Sequence, residues 1–184
     1  MNASVDPYLR PQTTAGSRAG RALWHVVYAL LFRPTPRPLH AWRAFILRCF
    51  GAQLGAHCHI YAGCVIWAPW NLRCDEGACI ADGAIIYNAA IVHLASHAIV
   101  SQGAYLCTAS HDIDDPAFPM TTAPIHIGRY AWIGARACVL PGVKVADGAV
   151  LGLAAVATHD LEAWQVYGGN PARRLRARRR HVQR

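Results

Sequence analysis

Aliphatic or small residues recur at every sixth position through the second half of the chain. The series runs through Ile127, Ile133, Val139, Val145, Leu151, Ala157, Ala163 and Gly169. An amphipathic helix needs apolar spacings of three and four, and a half-buried strand needs a spacing of two. A spacing of six fits neither alone. It is typical of short strands stacked as a solenoid, with a corner after each strand.

The same spacing organises the preceding region, with two shifts of phase. Leu54, Cys74 and Leu94 each open a set of three six-residue units, and a two-residue offset separates the sets. Three short strands per coil predict a triangular prism walled by three parallel sheets. With two further coils after Ile127, we predict an all-β solenoid of about five coils over residues 51–172.

The repeat is interrupted once at length, between Asp112 and His126. This segment contains three aspartates and three prolines, which cannot continue a buried coil. We therefore predict a loop over residues 112–126 that protrudes from a corner of the solenoid. Long loops on rigid scaffolds often carry function, and His111 lies at the root of this one.

The chain before the solenoid has a different pattern. Residues 1–17 are polar and are predicted to be flexible, whereas residues 18–50 predict two helices, one from Arg18 to Phe32 and one from about Leu39 to Phe50. Neither apolar run approaches the roughly 20 residues that span a bilayer. Two interpretations stay open for this segment: a cap on the solenoid end, or a surface that contacts a membrane or another subunit.

Composition and charge limit the kinds of partner that the chain is expected to bind. With 184 residues, 54% of them hydrophobic and 15% charged, the chain predicts one packed domain. The formal net charge is +8, and seven arginines crowd residues 173–184, which predicts a short basic tail. Such a tail suits nucleic acid, an anionic membrane surface or a phosphate-bearing cofactor. We favour the last of these and predict no nucleic-acid partner.

The positions of the cysteines indicate that they pack in the core and form neither disulfides nor a metal site. Cys58, Cys64 and Cys74 fall on inward positions of the repeat, where a thiol acts as a small apolar group. Strand alternation sends His57 and His59 to the face opposite Cys58, which disfavours a zinc site there. We predict no metal.

Several motifs now point to a known family. They are Ala68-Pro69-Trp70-Asn71-Leu72, Tyr87-Asn88, Ser101 to Cys107, Ser110-His111-Asp112, Asp115 to Pro119, Trp132-Ile133-Gly134-Ala135, Pro141-Gly142-Val143 and Gly168 to Arg173. With these motifs and its repeat, the chain resembles the hexapeptide-repeat acyltransferases over nearly its whole length. Within them it is most similar to the WcaF-like acetyltransferases of colanic acid biosynthesis. The resemblance implies a left-handed parallel β-helix, a homotrimer and acetyl-CoA as the acyl donor.

The resemblance also implies a catalytic base. It assigns that role to His111, because an unionised hydroxyl is a poor nucleophile and a positioned histidine can take its proton. Asp112 or Asp114 would orient the ring, although both aspartates equally fit the interpretation of solvated turn formers. Cys107, close to His111 in sequence, fits a packing role rather than that of a nucleophile.

Further site residues follow from the same resemblance. Those implied to bind the cofactor are Trp132, Gly134, Ala135, Gly152, Leu153, Thr158, Arg173 and Arg176. The two arginines would meet its phosphates. His159 stands where relatives often have lysine. Trp70, Tyr87 and Asn88 are candidates for the acceptor, with packing against a neighbouring subunit as the alternative.

The function predicted is O-acetylation of a sugar or glycan precursor for exopolysaccharide, in the cytoplasm or at the inner membrane surface. Membrane contact would run through the N-terminal helices or the basic tail. The alternatives are another small acceptor, such as an antibiotic, a free sugar or a serine-like molecule, and a non-catalytic scaffold on a membrane surface. A metalloenzyme of the γ-carbonic anhydrase type would need converging histidines, for which His57, His93 and His97 have the nearest spacing.

Overall fold

The protein folds into a three-sided parallel β-helix, with two α-helices packed against the first coil. The structure, a computed structural model, describes residues 15–179. The predicted flexible N-terminus up to residue 14 and residues 180–184 of the predicted basic tail lie outside the described residues. Within residues 15–179 no helix has both the length and the apolar character needed to cross a membrane.

Three sheets wall the solenoid, and each complete coil contributes one parallel strand to each sheet. The first sheet contains β1 (Gln53–Leu54), β4 (Leu72–Cys74), β7 (Val92–Leu94), β12 (Ile125–Ile127) and β15 (Lys144–Val145). The second contains β2 (His59–Ile60), β5 (Cys79–Ile80), β8 (Ile99–Val100), β13 (Trp132–Ile133), β16 (Val150–Leu151), β18 (Gln165–Gly168) and β19 (Arg173–Ala177). The third contains β3 (Val65–Ile66), β6 (Ile85–Tyr87), β9 (Tyr105–Cys107), β14 (Cys138–Val139) and β17 (Val156–Ala157).

The strand register confirms the predicted repeat. Leu54 pairs with Cys74, Cys74 with Leu94, and Leu94 with Ile127, so the apolar positions of successive coils form one column, which is half-buried at Leu54 and buried from Cys74 onward. Each two-residue offset lies within a longer strand of the first sheet. In β4, for example, Leu72 and Cys74 both point inward.

The last coil departs from the predicted spacing. Val145 bridges Leu161 and Leu151 pairs with Tyr167, so sixteen residues separate these partners instead of eighteen. The predicted inward positions Ala163 and Gly169 are wrong, because both are exposed. A partial sixth coil follows the five predicted ones, and β19 then runs back antiparallel to β18 along the edge of the second sheet.

At two of the corners, residues with a left-handed backbone conformation turn the chain and stack in a column from coil to coil. At the first corner, between the first and second sheets, the residues with positive φ are His57, Gly77, His97, Tyr130, Gly148 and Trp164. Rings and glycines fit together there: a Cβ on Gly77 would lie 2.5 Å from the His97 ring, and one on Gly148 would lie 2.5 Å from that of Trp164. His97 stacks on Tyr130 with ring centroids 5.0 Å apart. Its ring is therefore part of the corner.

Both predicted N-terminal helices are present. Helix α1 spans Ala15–Val27 and continues through a π-helical turn, Tyr28–Phe32, and helix α2 spans His40–Cys49. Trp24 is 1% exposed and donates its indole N–H to the Ile66 carbonyl at 2.7 Å. The buried Arg43 donates to the Ile60 carbonyl at 2.6 Å. Each helix thus satisfies a backbone group of the first coil and covers that end of the solenoid.

The cysteines lie where the repeat predicts. Cys58, Cys64 and Cys74 are buried, and burial raises the pKa of the Cys64 thiol to about 12. His57 and His59 are exposed on the opposite side of the backbone from Cys58. Among residues 15–179, no group of three or more His, Cys, Asp or Glu side chains has an arrangement that could hold a metal ion.

Candidate active site

The interruption of the repeat is a β-hairpin at the third corner, between the third and first sheets. Strand β10 (Ala109–His111) pairs antiparallel with β11 (Met120–Thr122), and His111 faces Met120. Thr108, at the base of the hairpin, is fully buried and donates its hydroxyl to the Tyr87 carbonyl at 3.0 Å. Its own carbonyl accepts the Ala123 N–H at 2.9 Å. The hairpin is therefore closed at its base and anchored to the solenoid through Thr108.

A backbone carbonyl orients His111. The Nδ1 atom lies 3.0 Å from the Phe118 carbonyl oxygen, and the imidazole stacks on the Phe118 ring with centroids 4.3 Å apart and planes 10° apart. A carbonyl only accepts, so Nδ1 carries the proton in this contact. Nε2 of the neutral ring then holds a lone pair, as a general base requires.

The nearby aspartates hold the turn of the hairpin. Asp112 accepts the Asp114 N–H at 3.1 Å, and Asp115 accepts the Ala117 N–H at 2.8 Å. Asp112 and Asp114 are both exposed. These contacts belong to turn formation, and the contact to Nδ1 of His111 comes from Phe118. The sequence carries no signal for that contact, since any residue with the same backbone would supply the carbonyl.

Most residues implied to bind the cofactor gather near the second corner, between the second and third sheets. Gly134 and Gly152 occupy equivalent places in successive coils, and a Cβ on Gly134 would lie 2.7 Å from the Leu151 carbonyl oxygen. Close stacking of the coils thus requires this glycine. Leu153 is 74% exposed beside it, whereas Ala135 is half-buried.

Trp132 extends this surface across the second sheet. Its side chain is 46% exposed, and its indole N–H donates to the Ser101 hydroxyl at 2.7 Å. Ser101 is therefore a positioning residue that was not among the predicted site residues. With Leu153, the indole provides an exposed apolar surface beside Gly134 and Gly152.

The remaining cofactor candidates lie further away. Arg173 and Arg176 are exposed on β19 and pair with Gly168 and Val166 of β18. Thr158 lies at the third corner, where its hydroxyl is 2.8 Å from Nδ1 of His159. Within one chain, Thr158 and the His111 hairpin therefore share one edge of the third sheet, and the Gly134–Gly152 surface lies at the other edge.

The three acceptor candidates differ in their exposure. Asn88 is fully buried and exchanges two hydrogen bonds with the Ala68 backbone, at 2.9 and 2.7 Å. Trp70 packs against Gly20 and Gly51 beside the N-terminal helices. Tyr87 is half-buried, with its ring centroid 5.2 Å from that of Trp67.

The Asn88 contacts explain its place in the fold. They join two coils at the third corner, one coil below the Thr108 anchor of the hairpin. The described contacts of Asn88 are thus all within the wall of the solenoid.

A prism built from six-residue units, with a histidine-bearing hairpin at one corner, defines the hexapeptide-repeat class of acyltransferases. No family model matches the chain. However, it is 37% identical over 167 residues to WcaF of Escherichia coli (strain K12), named as a proposed colanic acid biosynthesis acetyltransferase, and the match covers 89% of this chain and 92% of that protein. The chain therefore belongs to the WcaF-like hexapeptide-repeat acetyltransferases, which are acyl-CoA-dependent enzymes.

Solved structures agree on the fold. A hexapeptide-repeat acetyltransferase of Vibrio cholerae O1 biovar eltor, complexed with acetyl-CoA, superposes with a TM-score of 0.82 at 21% identity, covering 92% of this chain and 93% of that one. A maltose O-acetyltransferase of Clostridium difficile 630 superposes with a TM-score of 0.80 at 21% identity, covering 91% and 90% of the two chains.

Proposed function

We propose that this enzyme transfers an acetyl group from acetyl-CoA to a hydroxyl of a sugar in a glycan precursor for exopolysaccharide, with His111 as the general base. The observation that carries the proposal is the contact of Nδ1 with the Phe118 carbonyl, which leaves Nε2 ready to accept a proton. The relation to WcaF, whose name refers to colanic acid biosynthesis, supports the polysaccharide role.

The residues present account for each proton transfer. Nε2 of His111 removes the proton of the acceptor hydroxyl as its oxygen bonds to the acetyl carbonyl carbon. The carbon–sulfur bond breaks, the sulfur leaves as a thiolate, and the imidazolium returns the proton to it. The products are the acetyl ester and free CoA. The Phe118 carbonyl accepts the Nδ1 proton at both stages and so keeps the ring in the same orientation.

The donor surface proposed is the second corner with β19. Leu153 and the Trp132 indole offer an apolar strip that suits an extended thiol arm, and the exposed Arg173 and Arg176 suit its phosphates. Gly134, Ala135 and Gly152 would add mainly backbone contacts at this corner, whereas Thr158 would contribute from the edge of the third sheet that carries the His111 hairpin. For the acceptor, only Tyr87 and Trp70 keep partly exposed aromatic surface, so we leave Asn88 out of the proposed acceptor site.

We further propose a homotrimer with a shared active site, working in the cytoplasm. The proposal is supported by the separation of the parts in one chain. The His111 hairpin and the Trp132–Leu153 strip lie at opposite edges of the third sheet, and a neighbouring copy can bring one of them beside the other.

The test is release of free thiol from acetyl-CoA with a panel of sugars, nucleotide sugars and lipid-linked oligosaccharides. We expect turnover with at least one glycan acceptor, and a loss of about 10²- to 10⁴-fold in kcat for His111→Ala. His25→Ala removes an exposed histidine from α1 and is the matched control. Full turnover by His111→Ala would refute the assignment of the base.

A further inference from the structure

The first helix is apolar on two opposite faces. On its inner face Trp24, Tyr28 and Phe32 pack against one another and the first coil. On its outer face Leu23, Val26 and Leu30 are 60%, 55% and 67% exposed. A surface helix normally presents polar residues to water on that side, whereas a helix that is apolar all round is covered on both sides. The outer face is therefore as apolar as a surface that is covered by a membrane or by another molecule.

The second helix extends this exposed surface. The Trp42 indole N–H donates to the Leu31 carbonyl at 3.0 Å, which ties α2 to the end of the first helix. The Phe45 ring lies 5.8 Å from that of Trp42, and both side chains are largely exposed. We call the combined surface the apolar helix face; it consists of Leu23, Val26, Leu30, Leu31, Leu39, Trp42 and Phe45.

The helical segment that carries the apolar helix face has charges of one sign. The sequence has no aspartate or glutamate from residue 7 to residue 74, and residues 18–50 contain six arginines. Arg43 is buried, but Arg18, Arg33 and Arg48 are exposed, and the Arg37 side chain is 80% exposed in its ion pair with Asp82. An apolar face with tryptophan and a rim of arginine is complementary to acyl chains beneath anionic headgroups.

We propose that the apolar helix face docks this protein on an anionic phospholipid surface. The leucines, Trp42 and Phe45 enter the boundary between headgroups and acyl chains, and the surrounding arginines meet lipid phosphates. A second copy of the chain fits less well, because the same face on both copies would bring arginine against arginine. The inference goes beyond the acetyltransferase function and does not depend on it.

Vesicle binding of the full chain tests the proposal. We expect co-sedimentation with vesicles of phosphatidylcholine and phosphatidylglycerol, weaker binding in high salt, and little binding to phosphatidylcholine alone. Arg18→Gln with Arg33→Gln should weaken binding by about fivefold for each arginine removed. No binding to the anionic vesicles, or equal binding to both kinds, would overturn the proposal.

A double variant locates the contact. Leu23→Gln with Leu30→Gln should lower vesicle affinity by at least about tenfold, and both side chains are exposed enough to change without loss of the core. Ile113→Gln with Leu175→Gln removes two apolar side chains elsewhere that are at least as exposed, and it should leave vesicle binding unchanged. Undiminished binding by the first variant would place the contact elsewhere.

Oligomeric mass and thiol release distinguish lipid docking from a contact between copies and from a role in catalysis. If light scattering without vesicles shows that Leu23→Gln with Leu30→Gln changes the oligomeric mass, the face is an interface between copies and the lipid proposal fails. Thiol release from acetyl-CoA, measured without vesicles, should stay unchanged in this variant. A protein that binds vesicles but releases no thiol would refute the proposed function and leave the docking surface standing.

Discussion

At the residue scale, the orientation of His111 depends on a backbone atom. Asp112 and Asp114 lie closer to it in sequence, yet the Phe118 carbonyl is the group 3.0 Å from Nδ1. A side chain that oriented the ring could be removed by mutation, whereas this carbonyl survives any substitution that keeps the hairpin. The aspartates should therefore be largely dispensable for catalysis.

Asp112→Asn and Asp114→Asn should each lower kcat by no more than about twofold, because an amide oxygen at position 112 still accepts the Asp114 N–H. Steady-state thiol release measures the effect. Asp147→Asn, which changes a carboxylate that binds the Arg129 N–H away from the hairpin, is the control. A loss near 10⁴-fold, as when an orienting carboxylate is neutralised in a catalytic triad, would mean that an aspartate holds the ring.

The sequence revealed the identity of the candidate base but not its surroundings. His111 stands out because the repeat stops directly after it. The Phe118 contact is invisible, since backbone carbonyls are the same in every residue. Asn88 resembles a sugar-binding amide in sequence, and only the fold places it inside the wall, where its amide replaces backbone partners of Ala68.

At the element scale, the first corner depends on glycines that lie against rings. Gly148, at this corner, and Gly103, at the second corner, have nearly the same φ, +67° and +66°, but different neighbours. A Cβ on Gly148 would lie 2.5 Å from the Trp164 ring, whereas one on Gly103 would lie 3.4 Å from the Arg136 side chain. The pair therefore separates backbone strain from steric clash.

Gly103→Ala should lower the free energy of unfolding by about 1 kcal/mol through left-handed strain alone. Gly148→Ala should lower it by about 2–3 kcal/mol, because the Trp164 ring must also move. Chemical denaturation at one protein concentration measures both. Equal losses of unfolding free energy in the two variants would mean that the Trp164 ring moves aside without an energetic penalty.

The outer face of the first sheet carries a row of basic and titratable groups. Burial, followed by the charges of His93, Lys144 and Arg73, lowers the pKa of His126 below its ordinary value of 6.5. The folded chain thus binds this proton less readily than the unfolded chain. Its contribution to stability is complete above about pH 6.5 and is lost as the pH falls below that value.

Between pH 8 and pH 5, the Tm of the native protein should therefore fall further than that of His126→Gln, which cannot take up the proton. Thermal unfolding monitored by circular dichroism over this range provides the comparison. Parallel Tm curves for the two proteins would show that the site has no role in the pH dependence.

Periodicity predicted the strands better than it predicted where the solenoid ends. The columns through Leu54, Cys74 and Leu94 follow directly from apolar spacing, because one inward residue per strand suffices to fill a narrow prism. Near the end, Ala163 and Gly169 keep the spacing by chance. The larger Leu161 and Tyr167 fill the last coil instead, since they bury more apolar area.

At the scale of the whole molecule, a shared active site makes a quantitative prediction about mixed oligomers. His111→Ala should lack the base, and Leu153→Glu should place a charge in the apolar strip proposed to hold the thiol arm of the donor. If one copy supplies His111 and its neighbour supplies the Leu153 surface, a mixed trimer contains some sites with both parts intact.

Co-expression of His111→Ala and Leu153→Glu in equal amounts should restore thiol release to about a quarter of the native value. Each variant expressed alone is the control. Activity no higher than that of the separate variants would mean that each chain supplies its own complete site. It would also remove the main support for the proposed shared trimer.

The final strand has a consequence for how copies of this molecule meet. A solenoid with a free parallel edge can serve as a template for the next molecule, and copies can polymerise end to end into fibres. Here β19 reverses direction, and Arg173, Arg174 and Arg176 project from it into water. Two such ends repel each other, while α2 blocks the opposite end. The same reversal thus works against end-to-end growth of copies into a filament.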